Sequence, residues 1–174
     1  MNRQKDYRPV LNIPSTDFEI LMDRIALGIM TGIVLYSMIH YSSLPETIPI
    51  HWNAKGEADG FGSKNWLLLE PLLSIISFFG LVKICDYPHK FNYIAKLSEQ
   101  NVRQEYIKGR KMLRMVNIGC QLILGFILYV TVRAAAGGEQ NLGKWFVPAV
   151  IISAFLPLIY TLLTSSRNKG SKTT

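Results

Sequence analysis

Four long stretches of this chain are almost wholly apolar, and that pattern constrains the fold more than any other feature. They cover residues 25–41, 66–85, 115–132 and 145–163. The first holds no formally charged side chain, and the second holds only Glu70 and Lys83, both near its ends. Each is close to the ~20 residues that a rise of ~1.5 Å per residue needs to cross a hydrocarbon core of ~30 Å. A helix buried in a soluble bundle would instead carry one apolar stripe with polar residues between its turns. The composition agrees. The chain is 49% hydrophobic yet carries a net charge of +7, so apolar and basic residues are segregated along it, as a bilayer requires.

The expected fold is all-α, an integral membrane four-helix bundle. Spans are expected over residues 25–43, 66–85, 112–132 and 145–164. The first two, with the outer loop 44–65 between them, form one unit over 25–85, and the last two form a second helix pair over 112–164. A segment 1–24 precedes them, a basic connection 86–111 joins the pairs, and a basic tail covers 165–174. The first span starts after about two dozen residues and is longer than the ~7–15 residues of a signal-peptide core, so a retained helix is expected.

Lys and Arg set the orientation. Arg3, Lys5, Arg8 and Arg24 precede the first span; Lys83, Lys90, Lys96, Arg103, Lys108, Arg110, Lys111 and Arg114 lie in or beside the second connection; Arg167, Lys169 and Lys172 lie in the tail. The other two connections hold only Lys55, Lys64, Arg133 and Lys144. The positive-inside rule therefore expects both termini and the second connection in the cytoplasm of a bacterial plasma membrane, with loop 44–65 outside. Trp66, Trp145 and Tyr41 fall at the expected outer interface, where amphipathic rings are favoured.

Within the spans, Gly28 and Gly32 form a G-x-x-x-G pair that permits close helix approach. Packing inside the chain is the expected use, and homo-oligomerisation the alternative. Pro157 falls inside the fourth span, where a kink is expected, whereas Pro71 and Pro148 fall in first turns. Cys85 and Cys120 lie toward the inner side and are expected to be unpaired thiols. Glu70 is a carboxylate inside an apolar run, a functional candidate by its position. It sits one turn from Trp66, so snorkelling to the interface or pairing with the loop is an equal reading. Over residues 91–111, Phe91, Ile94, Ala95, Ser98, Val102 and Tyr106 recur at helical spacing among basic residues. A basic amphipathic helix lying on the inner leaflet is expected there. Nucleic-acid binding is not expected, because topology already accounts for the charge, and no phosphate loop, serine elbow or paired-cysteine pattern occurs.

The outer loop carries the densest polar pattern, from Leu44 through Pro45, Pro49, His51, Trp52, Asn53, Gly56, Asp59 and Gly60 to Lys64. The two prolines push their predecessors toward extended backbone, so a stiff stretch ending near His51 is expected, with His51 and Asn53 on one side and Trp52 on the other. Gly56, Gly60 and Gly62 supply turns back toward Trp66. His51, Asp59, Glu57 and Glu70 are candidates for holding a divalent cation or for acid–base chemistry, although one His with oxygen donors is a thin metal set. His51 and Asp59 can equally fasten the loop by hydrogen bonds.

The order L-P-x-x-I-P-x-H-W-N-x-x-G-x-x-D-G-F-G-S-K followed by an apolar helix resembles a bacterial membrane family of unknown function, found at the N-terminus of SdpI-type immunity proteins. The resemblance covers residues 25–85, and the Gln104-Glu105-Tyr106 to Arg110 segment with the third helix also looks like the corresponding stretch of many members. It implies a non-enzymatic membrane protein without a cofactor, engaged in binding, sensing or immunity against a secreted peptide. A peptide or envelope ligand would meet the outer loop, with Trp52 and Phe61 as anchors and His51, Asp59 and Lys64 as polar contacts. A small transporter subunit and a metal-binding or acid–base membrane enzyme remain the alternatives.

Overall fold

In the structure, a computed structural model, residues 7–170 are described, with side chains described for 7–163. Arg3, Lys5 and Lys172, used above for orientation, lie outside the described residues, as do the side chains of Arg167 and Lys169. Four α-helices account for most of the chain: α1 (Asp17–Tyr41), α2 (Leu69–Ile84), α3 (Val102–Ala135) and α4 (Phe146–Gly170). Between α1 and α2 the chain forms an antiparallel hairpin of β1 (Thr47–Trp52) and β2 (Ala58–Ser63). This corrects the all-α expectation. Extended backbone at the two prolines, followed by glycines that let two strands approach closely, makes a ladder rather than an isolated stiff segment.

Three helical segments are long and apolar enough to cross a membrane: Lys64–Ile84, Val102–Ala135 and Phe146–Leu163. The chain is thus a membrane protein. The first of these segments opens with a short 3-10 helix (Lys64–Leu68) that runs into α2. α4 continues through Pro157, whose carbonyl accepts the Thr161 hydroxyl at 2.8 Å.

α1 starts well before its apolar run. Thr16 caps it with a full capping box: the Thr16 hydroxyl accepts from the Glu19 amide at 3.3 Å and Oε2 of Glu19 accepts from the Thr16 amide at 2.8 Å. α3 is the organising element, packing against α1, α2 and α4. Ile33, Leu44, Ile48, Leu67, Leu128 and Val132 form one core cluster, which joins the hairpin to α1 and α3. Ala26, Met30 and Phe78 form a second between α1 and α2.

Of the amphipathic helix expected over 91–111, only 102–111 is helical, as the start of α3. A 3-10 turn (Pro88–Lys90) is followed by irregular chain until α3 begins at Val102. Asn101 closes a local turn instead, its Oδ1 accepting from the Ser98 amide at 2.8 Å and its Nδ2 donating to the Lys96 carbonyl at 3.0 Å. The apolar residues of this segment fold back onto α3. Tyr93 stacks on Tyr106 with centroids 5.6 Å apart, and Leu97, Val102 and Tyr106 form a third core cluster with Ile13. Ile94, one of the residues assigned to an inner-leaflet face, is 83% exposed.

The two ends of the bundle are tied differently. At one end the N-terminal segment lies across α3: Arg8 donates to the Phe91 carbonyl at 2.6 Å, Tyr106 to the Pro9 carbonyl at 3.2 Å, and Arg110 to the Ile13 carbonyl at 2.8 Å. At the other end the hairpin meets the α3–α4 connection, where the Leu142 amide donates to the Gly56 carbonyl at 2.7 Å and the Ala58 amide to the Gln140 carbonyl at 3.3 Å.

Candidate functional site

Most of the polar and glycine residues of the 44–64 motif have a local physical task in the hairpin. Asn53 builds the turn: its Oδ1 accepts from the amides of Lys55 (2.8 Å) and Glu57 (3.1 Å), and its Nδ2 donates to the Glu57 carboxylate at 3.0 Å. Gly56 adopts φ +80°, and a Cβ there would lie 3.3 Å from the Leu142 Cβ, so glycine serves both the turn and the docking of the α3–α4 connection. Across the ladder, a Cβ on Gly60 would lie 2.8 Å from the His51 Cβ. The glycine makes room for the imidazole.

Bulges on either side of His51 interrupt the register. They break the simple alternation expected for His51, Trp52 and Asn53, because an extra residue re-aims every side chain beyond it. His51 Nδ1 lies 2.5 Å from Asp59 Oδ1, on the exposed face of the hairpin. In a neutral ring Nδ1 carries the donated proton, which leaves Nε2 an acceptor. Lys64 closes the base: it pairs with Glu46 at 2.9 Å, reaches the Leu44 carbonyl at 3.5 Å and stands over the Tyr41 ring. Pro45 is exposed and precedes β1, whereas Pro49 is buried opposite Phe61. Trp52 is half-buried, and Phe61 is exposed.

Glu70 lies apart from this hydrogen-bonded set. The loop pairing weighed for Glu70 is not seen at its Oε2, which is buried and makes no hydrogen bond to the described residues, while the residue as a whole is half-buried. Glu70 lines a cavity of about 340 Å³ between β1 and the start of α2. Ile48, Pro49, Trp66 and Leu67 make it apolar, and His51 and Thr131 complete its polar inventory. The structure thus brings Pro49, His51 and Glu70 to one cavity while Asn53, Gly56, Asp59 and Lys64 hold the hairpin that covers it. Such a space can receive an apolar group carrying a cation or hydrogen-bond donor for Glu70. Among the described residues no group of three or more His, Cys, Asp and Glu is arranged to hold a metal ion.

Two polar networks went unread in the sequence. Arg110, 6% exposed, donates through Nε and Nη2 to both Glu19 oxygens at 2.7 and 2.8 Å. Arg114 bridges Glu19 at 3.1 Å and Asp23 at 3.0 Å. Counted in the sequence only for orientation, these arginines are buried ion-pair partners. The signal was an acidic pair on α1 and a basic pair on α3, both spaced i,i+4. Between α2 and α3, Gln121 donates to the Ser74 carbonyl (3.1 Å), Ser77 Oγ (3.1 Å) and Asn117 Oδ1 (3.3 Å) and accepts from the Ser74 hydroxyl. Small polar residues at helical spacing in two apolar runs were the readable sign.

The family model of a domain of unknown function (DUF1648) matches residues 28–75, the stretch from α1 through the hairpin into α2. An uncharacterized protein of Archaeoglobus fulgidus is 29% identical over 167 residues, covering 87% of this chain and 90% of that protein. No solved structure matches the chain. The unit that builds the hairpin and its cavity is therefore a match to a domain of unknown function, set in a membrane protein with an archaeal relative alike along most of its length.

Proposed function

We propose that this chain is a plasma-membrane binding protein whose hairpin and underlying cavity receive a peptide or envelope ligand from outside the cell, in the manner of SdpI-type immunity proteins. The carrying observation is the unpartnered, buried Glu70 oxygen in an apolar cavity under a hairpin in which His51 pairs with Asp59 and Asn53 with Glu57. A buried carboxylate oxygen without a donor is costly, and a ligand that supplies the missing donor recovers that cost. Ile48, Pro49 and Trp66 would take the ligand's apolar side chains, and exposed Phe61 offers a further contact beside the hairpin.

On this reading α1 is the fourth crossing. Its N-terminal approach lies against the α3 start, while its far end leads into the hairpin, which touches the α3–α4 connection. If α3 crosses, these contacts lie on opposite sides, and α1 must join them. Its 25 residues reach roughly 37 Å, enough for a ~30 Å core. The lysines and arginines beside α2 and α3 favour the cytoplasm for both termini, in a bacterial plasma membrane.

The test is protection. Toxin-sensitive bacteria producing this chain are challenged with a secreted peptide toxin of the kind those immunity proteins counter. Producing cells should survive better, and Glu70→Gln at equal membrane abundance should lose most of that protection. Equal survival with and without the chain contradicts the immunity reading; full protection by Glu70→Gln contradicts the role given to the cavity.

A further inference from the structure

The larger cavity lies at the opposite end of the bundle, and the outer motif takes no part in it. It measures about 620 Å³ and is formed where α2, α3 and α4 approach the 88–95 segment. Ile84 of α2, Met112 and Leu113 of α3, and Leu158 and Leu162 of α4 give it apolar walls, while Lys90, Asn92, Glu105 and Lys108 stand at its polar end. α4 rests on α3 and α2 packs on α1 and α3. Only 6% of the apolar window of α4 is buried in the protein. The cleft is therefore bordered by helix surface that a membrane would cover with lipid.

The roof is built, not collapsed. Gly109 lets the Phe91 and Tyr93 rings lie against α3, since a Cβ there would come within 3.0 Å of Phe91 and 3.3 Å of Tyr93. Tyr93 is further held by its hydroxyl bond to the Pro88 carbonyl at 2.8 Å and by its stacking on Tyr106. A cavity with a fixed roof, of a size within the ~300–1,000 Å³ typical of ligand sites, asks for an occupant.

Charge identifies that occupant. Lys108 pairs with Glu105 at 2.8 Å, so the polar end has one lysine in excess, Lys90, which is exposed and stands over the Tyr87 ring at 4.7 Å. We propose that this cleft binds an anionic phospholipid, its phosphate at Lys90 and Lys108 and an acyl chain along the walls given by α2, α3 and α4. Free phosphate would satisfy the lysines but leave the apolar walls wet, and a zwitterionic lipid would bring a cation that the excess lysine opposes. The inference rests on the membrane reading of α2, α3 and α4 and not on any ligand at the outer cavity.

The experiment uses the full chain in mild detergent, with dioleoyl phosphatidylglycerol and dioleoyl phosphatidylcholine as probes, and counts retained lipid by native mass spectrometry. Wild type should retain phosphatidylglycerol in preference to phosphatidylcholine. Lys90→Gln, at an exposed position, should weaken retention about fivefold, the value of one lysine at an anionic surface, and Leu158→Trp should obstruct the acyl path along α4 and weaken it as well. Glu70→Gln should leave retention unchanged, so failure here is separable from failure of the outer site. Equal retention of the two lipids, retention indifferent to both Lys90→Gln and Leu158→Trp, or complete competition by inorganic phosphate would each overturn the proposal.

Discussion

At the scale of single residues, the glycines of the hairpin separate geometry from composition. Gly60→Ala drives a methyl toward the His51 Cβ, 2.8 Å away, and should lower stability by about 1–3 kcal/mol. Gly28→Ala meets nothing within 4 Å and should be neutral or gain up to about 1 kcal/mol of helix propensity. Thermal unfolding in detergent compares the two directly. The same distances revise the reading of the G-x-x-x-G pair: Gly28 and Gly32 are exposed and pack on no neighbour within the chain. The sequence displayed the glycines but not what stands opposite each, because bulges beside His51 decide the register and leave no mark in the alternation of residue types. Asn53, Asp59 and the prolines were legible because their effects are local. Glu70 was legible as unusual. The burial of its Oε2 was not, since that depends on the hairpin folding over the start of α2.

At the scale of elements, the chain is held by polar contacts between helices as much as by apolar packing. Glu19 joins α1 to α3 through two arginines. Burial alone would raise its pKa, but the Arg110 hydrogen bonds, the Thr16 cap and the Arg110 charge outweigh this and hold it below the ordinary 4.5. A lowered folded-state pKa means that this contribution is complete above pH 4.5 and is lost as pH falls through the folded value. The stability difference between wild type and Glu19→Gln should accordingly shrink below pH 4.5, as read by unfolding at stepped pH. Glu19→Ala leaves the buried Arg110 guanidinium without a carboxylate, and Arg114 with Asp23 alone, and should cost about 3–5 kcal/mol at neutral pH. Within the bundle, Gln121→Ala removes the α2–α3 network and should cost about 0.6–1.7 kcal/mol, the range for polar contacts between membrane helices. Helix positions came from the apolar runs, yet the run misled over 91–111. There the 3.6-residue spacing was real, but Pro88 and the Ser98–Asn101 turn delay the helix, and the apolar residues find partners in the N-terminal segment.

At the scale of the whole molecule, the central claim is that two polar assemblies lie on opposite sides of a membrane. On one side the hairpin roofs a cavity and meets the α3–α4 connection; on the other the N-terminal segment, the 88–101 chain and the α3 start interlock. Length and composition make three segments able to cross a membrane; the fourth span expected from the apolar run 25–41 stays a proposal, supported by the tertiary contacts at both ends of α1. Site-directed labelling tests the arrangement most directly. In a background with Cys85 and Cys120 replaced by serine, single cysteines are placed at Lys55, Glu139 and Glu99, and intact cells are treated with a membrane-impermeant maleimide. The account predicts labelling at positions 55 and 139 in intact cells, and at position 99 only after the membrane is opened. Labelling of positions 55 and 99 from the same side would contradict it.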